Sequence, residues 1–254
     1  MITTSIDGAV GRVIIDRPAK RNAMSRAMWA ALPGAIDGLC HDERVRIILL
    51  EGRGPDFSAG ADISEFETVY ADRAAAAAFA ATLAAAMDAV AACARPTLAV
   101  VHGHCIGSAV GLALCCDLRF AAASSRFAIT PARLGLAYSF EDTRRLVQAI
   151  GSAAAKDLLM TSRTIDADEA LRLRLVDRVC DETDLAAEAQ VYADLVRAAS
   201  QTSTGIARDF VDRVGRGQRL EDDATRATYL DAVEGPDFAE GLRAFRARRP
   251  PRFS

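Results

Sequence analysis

Val101-His-Gly-His-Cys-Ile-Gly-Ser-Ala-Val-Gly111 decides how this chain is read. The apolar run 97–101 before it reads as a buried strand. Residues 108–115 read as an apolar helix of small residues. The stretch between is therefore a strand-to-helix turn made almost entirely of small side chains. Phe57-Ser-Ala-Gly-Ala-Asp-Ile63 is a second such turn, about one α/β repeat earlier, after the apolar strand 45–51. Small residues let a ligand come close to the backbone, and unpaired N–H groups in such turns can hold a developing oxyanion.

Strands and helices alternate outward from these turns. Val10-Gly-Arg-Val-Ile-Ile-Asp16 is a strand, and Ser25 opens a helix running toward Cys40. A helical segment extends to about residue 94, where Arg95-Pro96 breaks it. Strands follow at 117–121 and 126–130. Ser139-Phe-Glu-Asp142 has the form of a capping box, with Ser139 as N-cap and Asp142 at the third helical position. That helix stops at Gly151, helices follow at 152–160 and 166–174, and 176–180 is a short strand. Beyond residue 185 the pattern is helical, with a break at Gly235-Pro236. The expectation is an α/β core over residues 1–195 and a helical region over 196–254.

Bulk properties exclude several classes. Net charge is −3 over 254 residues, so no general basic field for nucleic acid exists. No basic segment followed by an apolar core opens the chain, and the alanine-rich run 74–92, with Thr82 and Asp88 inside it, reads as a soluble helix. A cytoplasmic protein without a membrane partner is expected. The six cysteines, Cys40, Cys93, Cys105, Cys115, Cys116 and Cys180, form no C-x-x-C pair, and the three histidines give no metal spacing. Reduced, buried thiols and no metal are expected.

Gly103-His-Cys-Ile-Gly107 has the form of a nucleophile elbow with cysteine as nucleophile. That chemistry needs a later histidine as base, and none follows His104. Gly52-Arg-Gly-Pro55 begins like a dinucleotide-binding loop but lacks the third glycine and contains a proline.

Four segments together are more specific. Arg17-Pro-Ala-Lys-Arg-Asn-Ala-Met-Ser25, Phe57–Ile63, His102–Asp117 and Phe238-Ala-Glu-Gly-Leu-Arg-Ala-Phe-Arg-Ala-Arg-Arg-Pro250 resemble, in order, four motifs of the enoyl-CoA hydratase/isomerase (crotonase) superfamily. The resemblance implies a crotonase-like spiral of ββα units with a helical C-terminal trimerisation region. It implies an acyl-CoA substrate, with coenzyme A as part of that substrate and no covalently bound cofactor. It implies a homotrimer or a dimer of trimers.

Site residues follow from the same resemblance. The backbone N–H groups of Ala61 and Ser108 would polarise the thioester carbonyl and stabilise an enolate. Coenzyme A would meet backbone near Ala23, Ala59, Asp62 and Ile63, basic groups at Lys20 and Arg21, and Phe245 and Arg248 from a neighbouring subunit's tail. The family's hydratases use two glutamates. Their positions match Gly111 and Pro131 here, and a one-residue slip offers only Thr130 or Ala132. Tyr138 and Glu141, with Asp142, are the candidate replacements. Thr130-Pro131 with Tyr138 resembles methylmalonyl-CoA decarboxylase-like members. Each candidate has a plainer reading: Tyr138 as a pocket wall, Glu141 and Asp142 as acidic residues complementing a helix N-terminus, His104 as a packed or exposed ring. The chemistry expected is isomerisation or decarboxylation rather than standard hydration, with a catalytically silent acyl-CoA binder as the alternative. Arg174 stands where the family has glycine, so the helix ending there needs a cap other than an αL glycine.

Overall fold

A computed structural model describes residues 1–253. Nine strands and ten helices are described: β1 Ile2–Asp7, β2 Val10–Ile15, α1 Arg26–His41, β3 Ile47–Gly52, α2 Phe66–Val69, α3 Arg73–Ala91, β4 Thr97–Val101, β5 His104–Ile106, α4 Ser108–Leu114, β6 Leu118–Ala122, β7 Arg126–Ala128, α5 Phe140–Thr161, β8 Ile165–Asp166, α6 Ala167–Arg172, β9 Arg178–Cys180, α7 Leu185–Ala198, α8 Gln201–Gly215, α9 Asp223–Glu234 and α10 Pro236–Arg246.

A six-stranded sheet has the order β1-β2-β3-β4-β6-β9. Only β1 runs antiparallel to its neighbour; the other pairings are parallel. The apolar runs of β3 and β4 fit a sheet covered on both faces. One face packs on α1, α3 and α4, with Trp29, Leu32, Met87 and Leu112 in the core. The other face, with Ile47, Leu49, Leu98 and Phe120, packs on α7 through Leu185, Ala189 and Ala193.

The second sheet, β5-β7-β8, positions the site. Strand β4 continues through a turn into β5 and then α4; β6 continues into β7 and then α5. This is the ββα unit. The chain after β3 makes the same excursion, since Ser58 forms a parallel bridge to Cys105 of β5. Three parallel segments thus lie side by side, and their C-terminal ends deliver residues 60–61, 107–108 and 129–131 to one edge.

Several expectations are corrected. Strand β1 and the short strands β5 and β8 are additional to the reading. The expected break at Gly151 is present: at φ +76° and ψ +163° it divides α5 into two helical stretches, the second ending at Thr161. Cys40 and Cys93 are joined by a disulfide with Cα atoms 6.4 Å apart, so they are not reduced thiols. The bridge ties the C-terminal end of α1 to the end of α3, a juxtaposition across 53 residues that spacing cannot reveal. Cys105, Cys115, Cys116 and Cys180 are free thiols. Helix α3 is long and apolar enough by composition to cross a membrane. In the fold it lies along α1 and buries Phe79, Ala86, Met87 and Val90. Arg174 itself takes the left-handed conformation, φ +65°. Leu175 N–H donates to Ala170 O in the Schellman pattern, so the αL cap is kept and only the glycine is absent.

Candidate active site

The two small-residue turns are laced together by backbone and buried side chains. Ser58 N–H donates to His104 O, Ile106 N–H to Ser58 O, and Gly107 N–H to Ala128 O. Asn22, wholly buried at φ +56°, donates from Nδ2 to the carbonyls of Arg53 and Asp56 and accepts from Arg17 N–H. Ser58 Oγ donates to Asn22 O at 2.7 Å and accepts from Gly60 N–H at 3.1 Å. Arg17 clamps the far side, with Nη1 2.5 Å from Asp62 Oδ2 and 3.0 Å from Ala23 O. Ser64 and Arg17 outweigh burial at Asp62 and hold its carboxyl at about 2, below its usual 3.8.

This lacing places Ala61 and Ser108 close together. Gly60 sits at φ +87°, and a β-carbon there would lie 2.5 Å from Ile106 O and 3.2 Å from Ser108 N. Only glycine fits so tight an approach. Ser108 is the first residue of α4, where helix geometry leaves its N–H without an intrahelical acceptor. Among the described residues, neither Ala61 N–H nor Ser108 N–H has a backbone partner, although the N–H groups flanking Ala61 are both paired. Ser108 Oγ is also buried without a partner.

The side of α4 at Gly111 is occupied from α5. A β-carbon on Gly111 would lie 2.9 Å from Tyr138 Oη and 3.2 Å from Asp142 Oδ1. The Tyr138 ring is half-buried, but its hydroxyl is shut off from solvent and has no hydrogen-bond partner. Burial, and then the nearby Asp142 carboxylate, push that hydroxyl well above the usual tyrosine range, so it stays protonated. Asp142 is 7% exposed. Its Oδ2 accepts from Ser139 Oγ at 2.6 Å, and its Oδ1 lies 3.3 Å from Arg145 Nη1.

Glu141 is the clearest correction within the site. It is exposed and pairs with Arg144 at 2.9 Å, and the side-chain atoms nearest Gly111 belong to Tyr138 and Asp142 instead. Asp142, read first as a cap, is the carboxylate that turns inward. Ser139 does cap α5, accepting from Asp142 N–H at 3.0 Å. The inward turn had a signal in the spacing: Asp142 and the buried Leu146 share one helix face. Thr130 precedes a short 3-10 turn, Pro131–Leu134, beside Gly107.

The residues assigned to coenzyme A fall in two groups. Lys20 and Arg21 are exposed on the loop before Asn22. Beside them, Ala59 N–H donates to Arg21 O, Ala23 O accepts from Arg17, and Asp62 N–H donates to Met24 O. Those polar groups are already engaged, which narrows the backbone contacts expected there. Ile63 is exposed. Phe245 and Arg248 lie at the far end of α10, also exposed. His104 donates its backbone N–H to Asp56 Oδ1, and its ring Nδ1 lies 2.7 Å from the same oxygen. It braces the turn. Among the described residues no cluster of metal-binding side chains occurs.

Comparisons with known proteins bear on the family and the fold. Residues 5–254 match the family model described as enoyl-CoA hydratase/isomerase. The chain is 34% identical over 250 residues to the protein named probable enoyl-CoA hydratase echA8 of Mycobacterium bovis, covering 98% of this chain and 95% of that one. It is 30% identical to the mitochondrial methylglutaconyl-CoA hydratase of Rattus norvegicus, covering 94% of this chain and 77% of that protein. An enoyl-CoA hydratase/isomerase family structure from Hyphomonas neptunium superposes with a TM-score of 0.97 at 38% identity, covering 100% of this chain and 97% of that one. An enoyl-CoA hydratase/carnitine racemase from Magnetospirillum magneticum gives 0.96 at 32%, with 100% and 95% covered. The chain belongs to the enoyl-CoA hydratase/isomerase family.

Proposed function

We propose that this protein binds an acyl-CoA, polarises its thioester carbonyl between Ala61 N–H and Ser108 N–H, and turns it over through an enolate. The observation that carries the reading is the pair of unpartnered N–H groups on two turns laced into one edge. Fixed backbone donors aimed at a developing oxyanion lower its energy without reorganising. Gly111 and Pro131, which the resemblance matches to two hydratase glutamates, have no carboxylate to activate water. Loss of a general acid or base lowers the rate by about 10²–10⁴-fold each, so isomerisation or decarboxylation is favoured over hydration. The same two positions favour the second reading, a catalytically silent acyl-CoA binder.

Coenzyme A is held by the Lys20–Arg21 loop and the turn at Ala59–Ile63, with Phe245 and Arg248 supplied by a neighbouring copy. Exposed Phe238, Leu242 and Phe245 on α10 supply apolar surface for such a trimer or dimer of trimers.

Purified protein given crotonyl-CoA, a 3-enoyl-CoA and methylmalonyl-CoA in parallel, with products resolved by mass, tests this. Isomer or carbon dioxide without hydration product is the expected result. Rapid hydration of crotonyl-CoA overturns it. Binding without turnover makes the silent binder the correct reading.

A further inference from the structure

We propose that Asp142 is the catalytic acid–base of this site, carrying one proton between C2 and C4 of a 3-enoyl thioester; this rests on the enolate reading above. Position is the first argument. Ser108 holds a free N–H at the start of α4, and Gly111, three residues on, lies on the same face one turn later. That is about 4.5 Å along the axis, comparable to the span from a thioester carbonyl carbon to C4, three bonds beyond it, with C2 lying between. Asp142 Oδ1 stands 3.2 Å from where a Gly111 β-carbon would be. A carboxylate on α5 thus reaches the space that a side chain from α4 would otherwise fill.

Orientation is the second. Asp142 Oδ2 is tied to Ser139 Oγ at 2.6 Å, which leaves Oδ1 facing Gly111. Arg145 approaches Oδ1 only at 3.3 Å and makes its shorter contact, 2.8 Å, with Asp88. Helix capping does not account for the buried side chain, because Ser139 Oγ serves as the cap and Asp142 gives no bond back to the Ser139 backbone.

Surroundings are the third. Tyr138 Oη, buried and unpartnered, lies 2.9 Å from the same point on Gly111. The ring closes the space beside Asp142 against bulk water, so a proton held there exchanges with solvent more slowly than it is passed on within one turnover, though still measurably over many turnovers.

The step balances. Asp142 takes the proton as the C2–H bond breaks, and the electron pair moves into a dienolate whose oxyanion rests on Ala61 and Ser108 N–H. The Asp142 O–H then gives the proton to C4, and the double bond moves from C3–C4 to C2–C3. Nothing is oxidised or reduced. Decarboxylation would not need a carboxylate here, and hydration would need an activated water.

The test uses 3-hexenoyl-CoA with the wild type and Asp142→Asn, beside butyryl-CoA binding and butyryl-CoA C2 exchange in D2O. The expected result is 2-hexenoyl-CoA from the wild type and a loss of about 10²–10⁴-fold in kcat for Asp142→Asn, with butyryl-CoA affinity retained. An active wild type with equally active Asp142→Asn overturns the Asp142 assignment and leaves the enolate reading standing. A wild type that neither isomerises nor exchanges C2 hydrogen overturns the enolate reading itself. A wild-type measurement guards against a misfolded variant: substrate dideuterated at C2 is converted in H2O. Deuterium at C4 of the product supports one group carrying the proton, and complete replacement by solvent hydrogen overturns the shielded single-group transfer.

Discussion

The hydroxyl of Tyr138 stands 2.9 Å from the point where a β-carbon on Gly111 would lie. The missing side chain on α4 and the aromatic ring before α5 therefore fill one space between them. Gly111→Ala is expected to destabilise the fold by about 1–3 kcal/mol through overpacking. That outweighs the roughly 0.5–1 kcal/mol by which alanine improves a helix interior. In a Tyr138→Phe background the same substitution meets no hydroxyl, so its cost should shrink by about 1 kcal/mol, a coupling that a double-mutant cycle in urea reads directly. Equal costs in both backgrounds would mean the two residues do not share that space.

Asp62 predicts an acid limb. Its folded carboxyl sits at about 2 against an ordinary 3.8, chiefly through Ser64 and Arg17. A depressed folded value contributes stability that is fully present above the ordinary value and lost as pH falls through the folded one. The urea midpoint of the wild type should therefore fall between about pH 4 and pH 2 more steeply than that of Asp62→Asn. Parallel curves would show that the Arg17–Asp62 clamp contributes little.

Much of this was legible along the chain because it is local. Ser25 and Ser139 open α1 and α5 by accepting from the N–H three residues on, as their types and places suggest. The small-residue turns at Gly60 and Gly107 do lie together, since parallel strands deliver them to one edge. What escaped was non-local. Strand β5 is only three residues long, too short for the burial of Cys105 between two half-buried neighbours to stand out as a periodic pattern, yet it pairs on both sides. Glu141 and Asp142 are neighbours about 100° apart on one helix, and the docking of α5 on α4 decides which faces inward. The Cys40–Cys93 bridge depends on how α1 and α3 pack, which no spacing encodes.

Arg174 offers a test of the αL cap after α6. At φ +65°, a non-glycine residue carries a strain of about 1–2 kcal/mol. The side chain is exposed and forms no ion pair among the described residues. Arg174→Gly should raise stability by about 1 kcal/mol, reduced somewhat by the greater freedom of glycine in the unfolded chain. Thermal melting at fixed pH reads this, and an unchanged or lower midpoint would mean the arginine makes contacts that offset its strain.

The oxyanion donors can be separated from their side chains. Ser108 is the first residue of α4, the helical position that best tolerates proline, because a first-turn N–H has no intrahelical acceptor and helical φ is close to the value proline fixes. Ser108→Pro therefore deletes one N–H of the proposed hole while leaving α4 intact. Ser108→Gly keeps that N–H and removes only the unpartnered hydroxyl. If the N–H polarises the thioester, Ser108→Pro should lower kcat by about 10²–10³-fold, and Ser108→Gly should retain most of the activity. The same ordering should appear in the C2 exchange of butyryl-CoA, which reports enolate formation without the rest of the reaction. If both variants lose activity alike, the hydroxyl rather than the backbone is the working donor. If neither does, the carbonyl binds elsewhere, and the free N–H groups of Ala61 and Ser108 serve another purpose.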